Sequence, residues 1–214
     1  IMLARSGDIG DTKSSFIESL QSLRRDRIYG LLAHRSSDLL ADDRLWSMMQ
    51  ELKADKLVEK IGASVYDAIE IDALTERFDL DLIQVPLSLL DQRLLKTGRI
   101  AALAKQGVEI HARSVFLQGL IHLSPAQLAD RFGSVAGHVL SVREALNLAG
   151  HSLTSGALAC LDTCPDLTAA VVGVNSVGEL SGILAAKRQP HAPFDFSMCA
   201  WDEEAVLDPR QWTQ

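Results

Sequence analysis

The chain has 214 residues, of which 47% are hydrophobic and 23% charged, which suits one globular domain with a sizeable core. Its net charge of −7 argues against a nucleic-acid-binding protein, because such proteins present a basic face. No run approaches the roughly 18 apolar residues of a membrane span, so no membrane partner is expected. Cys160, Cys164 and Cys199 are too few and too irregularly placed for a disulfide framework, so we expect a cytoplasmic protein.

Short β-rich runs alternate with amphipathic helical stretches along the chain. In chain order the pattern first predicts a helix over 14–23, a strand buried on both faces over 28–33 and a helix capped by Asp42 or Asp43. Strands follow over 57–63, 82–85 and 108–112, and they alternate with helices over 68–77 and 98–105. Ser124-Pro125 begins a long helical region in which Gly133 and Gly150 mark boundaries. A last strand over 169–174 and a helix over about 176–187 precede an extended tail with a short C-terminal turn. This rhythm predicts βαβ units and a parallel sheet, either doubly wound or closed into a barrel.

Common sequence motifs of nucleotide, metal and hydrolase sites are absent. Residues 7–14 hold two glycines and a lysine, but their spacing does not fit a P-loop, so a solvated loop before the next helix is the better interpretation. No G-x-G-x-x-G segment follows a strand, which removes the Rossmann fingerprint. The six histidines are scattered, and we expect no metal site.

Polar residues follow or end four successive predicted strands. His34, Ser64, Gln84 and the pair Arg113-Ser114 occupy these positions. A lone histidine such as His34 is more often a buried, hydrogen-bonded residue than a catalytic one. Four strands with polar residues at the same end nevertheless form a ring, and a ring at the mouth of a parallel barrel indicates an active site.

The order of several segments resembles the aldo-keto reductases, in particular the bacterial branch related to aryl-alcohol dehydrogenases. The segments in family order are SLQSL (19–23), DRIYGLLAH (26–34), IGASVY (61–66), IQVPLSLLD (83–91), ARSVFLQGL (112–120) and VVGVNS (171–176). The resemblance covers nearly the whole chain. It implies a (β/α)8 TIM barrel, an α/β fold, of which residues 1–214 supply a single domain from about the third or fourth strand to the C-terminus.

The resemblance also implies roles for the strand-end residues. Members of this family lay an extended NAD(P)H across the C-terminal mouth of the barrel without a Rossmann motif. His34 matches the histidine that helps to polarise the substrate carbonyl, and Ser64 and Gln84 match residues that hydrogen-bond the nicotinamide carboxamide. Arg113 stands where many members have an aromatic side chain that stacks on the nicotinamide, and Ser114 is expected near the pyrophosphate.

The turn into the last helix is expected to hold the adenosine end of the cofactor. Gly173, Asn175 and Ser176 match the turn that binds the adenosine phosphate, and Glu179 is expected on the adenine side. A helix N-terminus suits an anion because its free N–H groups and dipole point outward. The next cation after this turn is Lys187, which weakens the case for NADP over NAD.

The chain departs from the family at the proton donor. Tyr29 and Tyr66 do not match the motif of the family's catalytic tyrosine, Lys13 is a poor match for its lysine partner, and Val65 replaces an asparagine that often follows the serine. We therefore expect the catalytic tyrosine, lysine and aspartate to lie on strands outside residues 1–214.

Two functions remain open at this point. The first is an NAD(P)-dependent oxidoreductase, with NADP or NAD as cofactor, that reduces an aldehyde or ketone to an alcohol; a sugar-derived substrate fits the bacterial branch by analogy. The second is a non-catalytic barrel of the same family that acts in binding or assembly. Sequence upstream of Ile1 that encodes the tyrosine and lysine motifs would favour the enzyme. The chain does not reveal the substrate or the oligomeric state.

Overall fold

The computed structural model describes residues 2–3, 9–190 and 192–212. The chain divides into two compact units. The first unit comprises Ile1–Val85 and Arg99–His111, and the second comprises Pro86–Gly98 and Ala112–Gln214.

Parallel strands in chain order form the sheet of the first unit. They are β1 (Met2–Leu3), β2 (Ile28–Ala33), β3 (Val58–Ser64), β4 (Leu82–Pro86) and β5 (Glu109–Arg113), of which the last residue of β4 and the last two of β5 belong to the second unit. β1 pairs with β2, β2 with β3 and β3 with β4, all in parallel. The Glu109 N–H joins β5 to the Asp81 carbonyl, which directly precedes β4, at 2.9 Å. The predicted parallel α/β arrangement is confirmed.

Helices alternate with these strands, and both kinds of element contribute to the first unit's core. They are α1 (Ile9–Leu23), α2 (Ser36–Ala41), α3 (Asp43–Ala54), α4 (Ala68–Thr75) and α6 (Arg99–Lys105). The Asp42 carboxylate accepts a hydrogen bond from the Arg44 N–H at 3.0 Å and caps α3, as the sequence predicts. The side chains with the least exposure include Phe16, Leu31, Leu39, Met49, Leu52, Ile61, Ile71 and Leu74.

Helices dominate the second unit. They are α5 (Arg93–Lys96), α7 (Pro125–Arg131), α8 (Gly133–Leu148), α9 (Leu153–Asp162), α10 (Val177–Arg188) and α11 (Glu204–Leu207), with 3₁₀ helices at Leu117–His122, Phe196–Cys199 and Pro209–Gln211. The short strand β6 (Ala169–Ala170) follows α9. Ser124 and Gln127 form a reciprocal capping box that begins α7, which confirms the start predicted at Ser124-Pro125. The core of this unit gathers Leu89, Leu120, Leu128, Val135, Leu146, Ala157 and Leu207.

Three predictions about local structure were wrong in part. Residues 9–14, interpreted as a solvated loop, lie in α1; Gly7 and Asp8 lie outside the described residues. β2 is not buried on both faces, because Tyr29 is exposed. β6 ends at Ala170 and not at Val174, since the Val171 N–H donates to the Ala112 carbonyl at 2.8 Å but the next residues add no strand pairing.

An apolar ribbon on α10 and on the segment between β6 and α10 is exposed. Its side chains are Val171, Val174, Val177, Leu180 and Leu184. Within α10, Ala186 is the buried side chain. Among the described residues, no helix is long and apolar enough to span a bilayer.

Candidate functional site

His34, Ser64 and Gln84 occupy corresponding positions on three adjacent strands of the first unit. Ala33 of β2 is in register with Ala63 of β3, so His34 and Ser64 follow at equivalent positions. Ser64 is in turn in register with Gln84 of β4. Side chains in register on parallel strands point to the same face, because the side-chain direction alternates with a period of two along each strand. The first unit therefore places Ser64, the last residue of β3, beside Gln84 of β4, and it places His34 directly after β2.

The three positions differ in their access to solvent. Ser64 and Gln84 are buried, whereas His34 is exposed just beyond its strand. The Gln84 carbonyl accepts a hydrogen bond from the Val65 N–H at 2.9 Å, which extends the pairing of β3 and β4 past Ser64. This arrangement offers two fixed polar side chains and one accessible imidazole, which suits binding of an amide next to a reacting group.

β3 and β4 come unusually close together at Gly62, two residues before Ser64. A Cβ atom at Gly62 would lie 1.6 Å from the carbonyl oxygen of Leu82, a distance that the present backbone does not permit. Glycine at this position lets β3 and β4 meet closely and sets the spacing of Ser64 and Gln84.

In the second unit, Arg113 and Ser114 begin a loop with an unusual backbone. Ser114 has a φ of 58° and Gln118 a φ of 52°, both in the left-handed region that residues other than glycine rarely adopt. The Ser114 carbonyl accepts a hydrogen bond from the Leu117 N–H at 2.7 Å, and the Arg113 Nη1 donates to the Ser114 hydroxyl at 3.2 Å. Backbone in such regions is concentrated at binding and catalytic sites, which agrees with a functional role for this loop.

The predicted phosphate turn is a hydrogen-bonded cap of α10. Ser176 is the N-cap, and its hydroxyl accepts a hydrogen bond from the Glu179 N–H at 3.1 Å. The Glu179 carboxylate accepts one from the Asn175 N–H at 2.7 Å. Gly173 is exposed in the same turn, and a Cβ atom there would meet no neighbour within 4 Å. The structure brings Asn175, Ser176 and Glu179 together, and the carboxylate of Glu179 occupies the N-terminus of the helix.

A polar cluster in the first unit escaped prediction from the sequence. The Tyr29 hydroxyl lies 2.6 Å and the Lys60 Nζ 2.7 Å from Glu109 Oε1, and the His111 Nε2 lies 3.7 Å from Glu109 Oε2. Tyr29, Lys60 and Glu109 lie near the amino ends of β2, β3 and β5, whereas His34 follows β2, Ser64 ends β3 and Gln84 lies at the centre of β4. The two-residue spacing of Glu109 and His111 places both on one face of β5. In the sequence, this spacing was the only indication of the cluster.

The hydrogen bonds of this cluster shift the pKa values of its members. Burial raises the pKa of Glu109, but hydrogen bonds from Lys60 and Tyr29 outweigh it and hold the pKa below its usual value. Hydrogen bonds to Glu109 raise the pKa of Lys60 and of Tyr29. Burial lowers the pKa of His111, although the Glu109 carboxylate opposes the shift. The cluster therefore favours an ionised Glu109–Lys60 pair and a neutral His111.

Metal ligands are not grouped in the parts of the chain that the structure describes. Residues 9–190 and 192–212 contain no group of three or more His, Cys, Asp or Glu side chains placed to hold an ion. The buried thiols of Cys160 and Cys199 have pKa values raised by burial to about 12 and about 11, so both are poor nucleophiles near neutral pH.

Solved structures with the same fold include two bacterial aldo-keto reductases. Aldo-keto reductase AKR11C1 from Bacillus halodurans matches in its apo form with a TM-score of 0.75 and 19% identity, over 93% of this chain and 70% of that one. Its holo form matches with a TM-score of 0.74 and 19% identity, over 93% and 69% of the two chains. The PA4992 protein from Pseudomonas aeruginosa, named as a member of the same family, matches with a TM-score of 0.57 and 19% identity over 82% of this chain.

The chain is shorter than these proteins. It spans 56% of the length of the Pseudomonas protein. No curated protein matches it. The comparison confirms the predicted fold class, an α/β barrel of which this chain forms a part.

The family model for the aldo/keto reductase family matches residues 4–190, which is most of the chain. That match agrees with the parallel order of β1 to β4. The chain belongs to the aldo/keto reductase family.

Proposed function

We propose that the protein is an NAD(P)H-dependent oxidoreductase that reduces the carbonyl group of a small aldehyde or ketone to an alcohol. The observation that carries this proposal is the register of Ser64 with Gln84 across β3 and β4, with His34 directly after β2, whose last residue Ala33 is in register with Ala63. Family membership supports it, because aldo-keto reductases in general catalyse this reaction with a nicotinamide cofactor. The substrate within this class is open.

Ser64 and Gln84 fit a nicotinamide, whereas His34 fits a substrate carbonyl. A carboxamide needs both a donor and an acceptor, and the buried Ser64 hydroxyl and Gln84 amide can supply both. The bound cofactor would supply the hydride. The exposed side chain of His34, which follows β2, would donate a hydrogen bond to the carbonyl oxygen on which negative charge develops.

Tyr29 is a poor candidate for the proton donor. Its hydroxyl donates to Glu109, and this hydrogen bond raises the pKa of the phenol. Its place near the amino end of β2 also separates it from His34, which follows the carboxyl end of the same strand. We therefore do not assign Tyr29 to the reaction.

The turn before α10 bears on the choice between NAD and NADP. The Glu179 carboxylate accepts from the Asn175 N–H and lies where a helix would otherwise attract an anion. No lysine or arginine occurs between Gly173 and Ala186 to pair with a further phosphate. We propose that NADP is preferred at most modestly and that Arg113, Ser114, Asn175 and Ser176 contact the cofactor in either case.

The test uses the full-length protein. NADH and NADPH fluorescence titrations should show saturable binding, and a panel of aldehydes and ketones should yield cofactor oxidation with at least one of them. Ser64→Ala and Gln84→Ala should each weaken binding of the reduced cofactor. Saturable cofactor binding without oxidation against any carbonyl would favour a binding protein, and no cofactor binding at all would overturn the proposal.

A further inference from the structure

A buried polar loop of the second unit follows β4 and leads into α5. It comprises residues 87–92, and its polar members Ser88, Asp91 and Gln92 are all buried. At its start, the Leu87 N–H donates to the Arg113 carbonyl at 3.1 Å. The loop therefore touches the backbone of a residue that the proposed function places at the cofactor.

The far end of the loop is held by the C-terminal tail, residues 194–212. The side-chain amide of Gln92 donates to the Phe196 carbonyl in the tail at 2.8 Å and to the Leu89 carbonyl within the loop at 2.8 Å. The Trp201 N–H of the tail donates to the Leu90 carbonyl, also at 2.8 Å. The buried side-chain amide of Gln92 thus donates one hydrogen bond to the tail and one to the loop.

The tail is itself anchored to the helices of this unit. The His138 Nε2 on α8 lies 2.9 Å from the Cys199 carbonyl, and Phe196 packs against His151 with ring centroids 5.8 Å apart. Because these contacts fix Phe196, its carbonyl is a rigid acceptor for Gln92. A buried carbonyl that loses its donor costs free energy, so the position of the loop depends on this amide.

We infer that Gln92 is a positioning residue for the cofactor site. It holds the loop between the C-terminal tail and Arg113, and so fixes the backbone on which Arg113 and Ser114 are presented. The effect on cofactor binding rests on the proposed function. The role of Gln92 in holding the loop from Phe196 to Leu87 does not rest on the proposed function.

The experiment compares Gln92→Ala and Gln92→Glu in the full-length protein with two controls. Gln92→Glu keeps the shape but removes both donors. Gln211→Ala changes an exposed glutamine of the tail, and Val135→Ala lowers stability at a core residue of the same unit that lies outside the loop. The readouts are amide hydrogen exchange at Leu87, the NADH dissociation constant at 25 °C and the melting temperature.

Both Gln92 variants lose both hydrogen bonds. They should raise the exchange rate of the Leu87 amide at least several-fold and weaken NADH binding by about fivefold, because only part of the loss reaches the backbone of Arg113 and Ser114. Val135→Ala should lower the melting temperature without weakening NADH binding, and it should speed exchange at Leu87 no more than at other core amides. Gln211→Ala should change nothing. Unchanged exchange at Leu87 in both Gln92 variants would overturn the inference. If the unaltered protein binds no NADH, the proposed function fails, and the exchange at Leu87 still decides whether Gln92 holds the loop.

Discussion

The Nζ of Lys60 lies 2.7 Å from Oε1 of Glu109, and this ion pair joins β3 to β5 across the intervening β4. Tyr29 adds a hydrogen bond from β2 to the same carboxylate. Both charged side chains are mostly shielded, with 26% and 19% of their surface exposed, so the pair is screened less than a surface ion pair. One carboxylate thus links three strands of the first unit near their amino ends.

Replacing Glu109 by glutamine should destabilise the protein. Lys60 would keep a partly buried charge without its partner, and we expect a loss of about 1–2 kcal/mol in the free energy of unfolding. Urea unfolding of Glu109→Gln measures this loss. Glu59→Gln, which removes an exposed carboxylate from the same strand as Lys60, is the matched control and should cost little. Equal midpoints for the two variants would show that the ion pair contributes nothing.

Stability should decline in mild acid through His111. Because burial lowers the pKa of His111 in the folded state below its ordinary value of 6.5, the unfolded state takes up the proton first as the pH falls. The contribution of His111 is therefore present above about pH 6.5 and lost below it. His111→Gln should show a smaller drop in unfolding midpoint between pH 7.5 and pH 5 than the unaltered protein. An NMR titration of the His111 ring with a midpoint above 6.5 would contradict this assignment.

His34→Ala should slow carbonyl reduction. Loss of the hydrogen-bond donor at the carbonyl oxygen should lower kcat/KM by about 100-fold, in the range of positioned acid–base groups. Because His34 is exposed, the melting temperature and the NADH dissociation constant should change little. Arg35→Ala alters the adjacent exposed residue and should keep near-normal turnover. Unchanged turnover in His34→Ala would remove the role assigned to this histidine.

Glu179 should control discrimination between the two nicotinamide cofactors. In the unaltered protein, NADH and NADPH should bind within about tenfold of each other, because the sequence has no lysine or arginine between Gly173 and Ala186. Glu179→Gln removes the negative charge, and Glu179→Lys also adds a positive one. We expect NADPH affinity to rise in that order in fluorescence titrations. A strong NADPH preference in the unaltered protein would mean that its phosphate binds elsewhere.

Two glycine substitutions should act in opposite directions. Gly62→Ala would drive a Cβ atom into the Leu82 carbonyl, so β3 and β4 must separate and the protein should be strongly destabilised. Gly182→Ala lies in α10, where a Cβ atom meets open space, and should stabilise the helix by up to about 1 kcal/mol. Thermal unfolding of both variants gives the comparison. A mild effect at Gly62 would show that the two strands adjust easily.

The sequence predicts individual elements better than contacts between them. The ends of β2 to β5 agree with prediction to within one or two residues, because short apolar runs between glycines, prolines and capping residues mark them. The placement of His34 beyond its strand follows from the same signal. The Lys60–Glu109 pair was missed because it depends on strand register, which a single sequence does not specify. The helical start at Ile9 was missed because the glycines and serines of that segment favour a loop on local preference alone.

The apolar ribbon of Val171, Val174, Val177, Leu180 and Leu184 has a consequence for the behaviour of the chain in solution. Each square ångström of apolar surface removed from water is worth about 25 cal/mol, so any surface that covers the ribbon gains free energy. Salts such as ammonium sulfate strengthen this tendency because they are excluded from protein surfaces. These five side chains, remote in sequence from His34, therefore favour association of the polypeptide in precipitating salts.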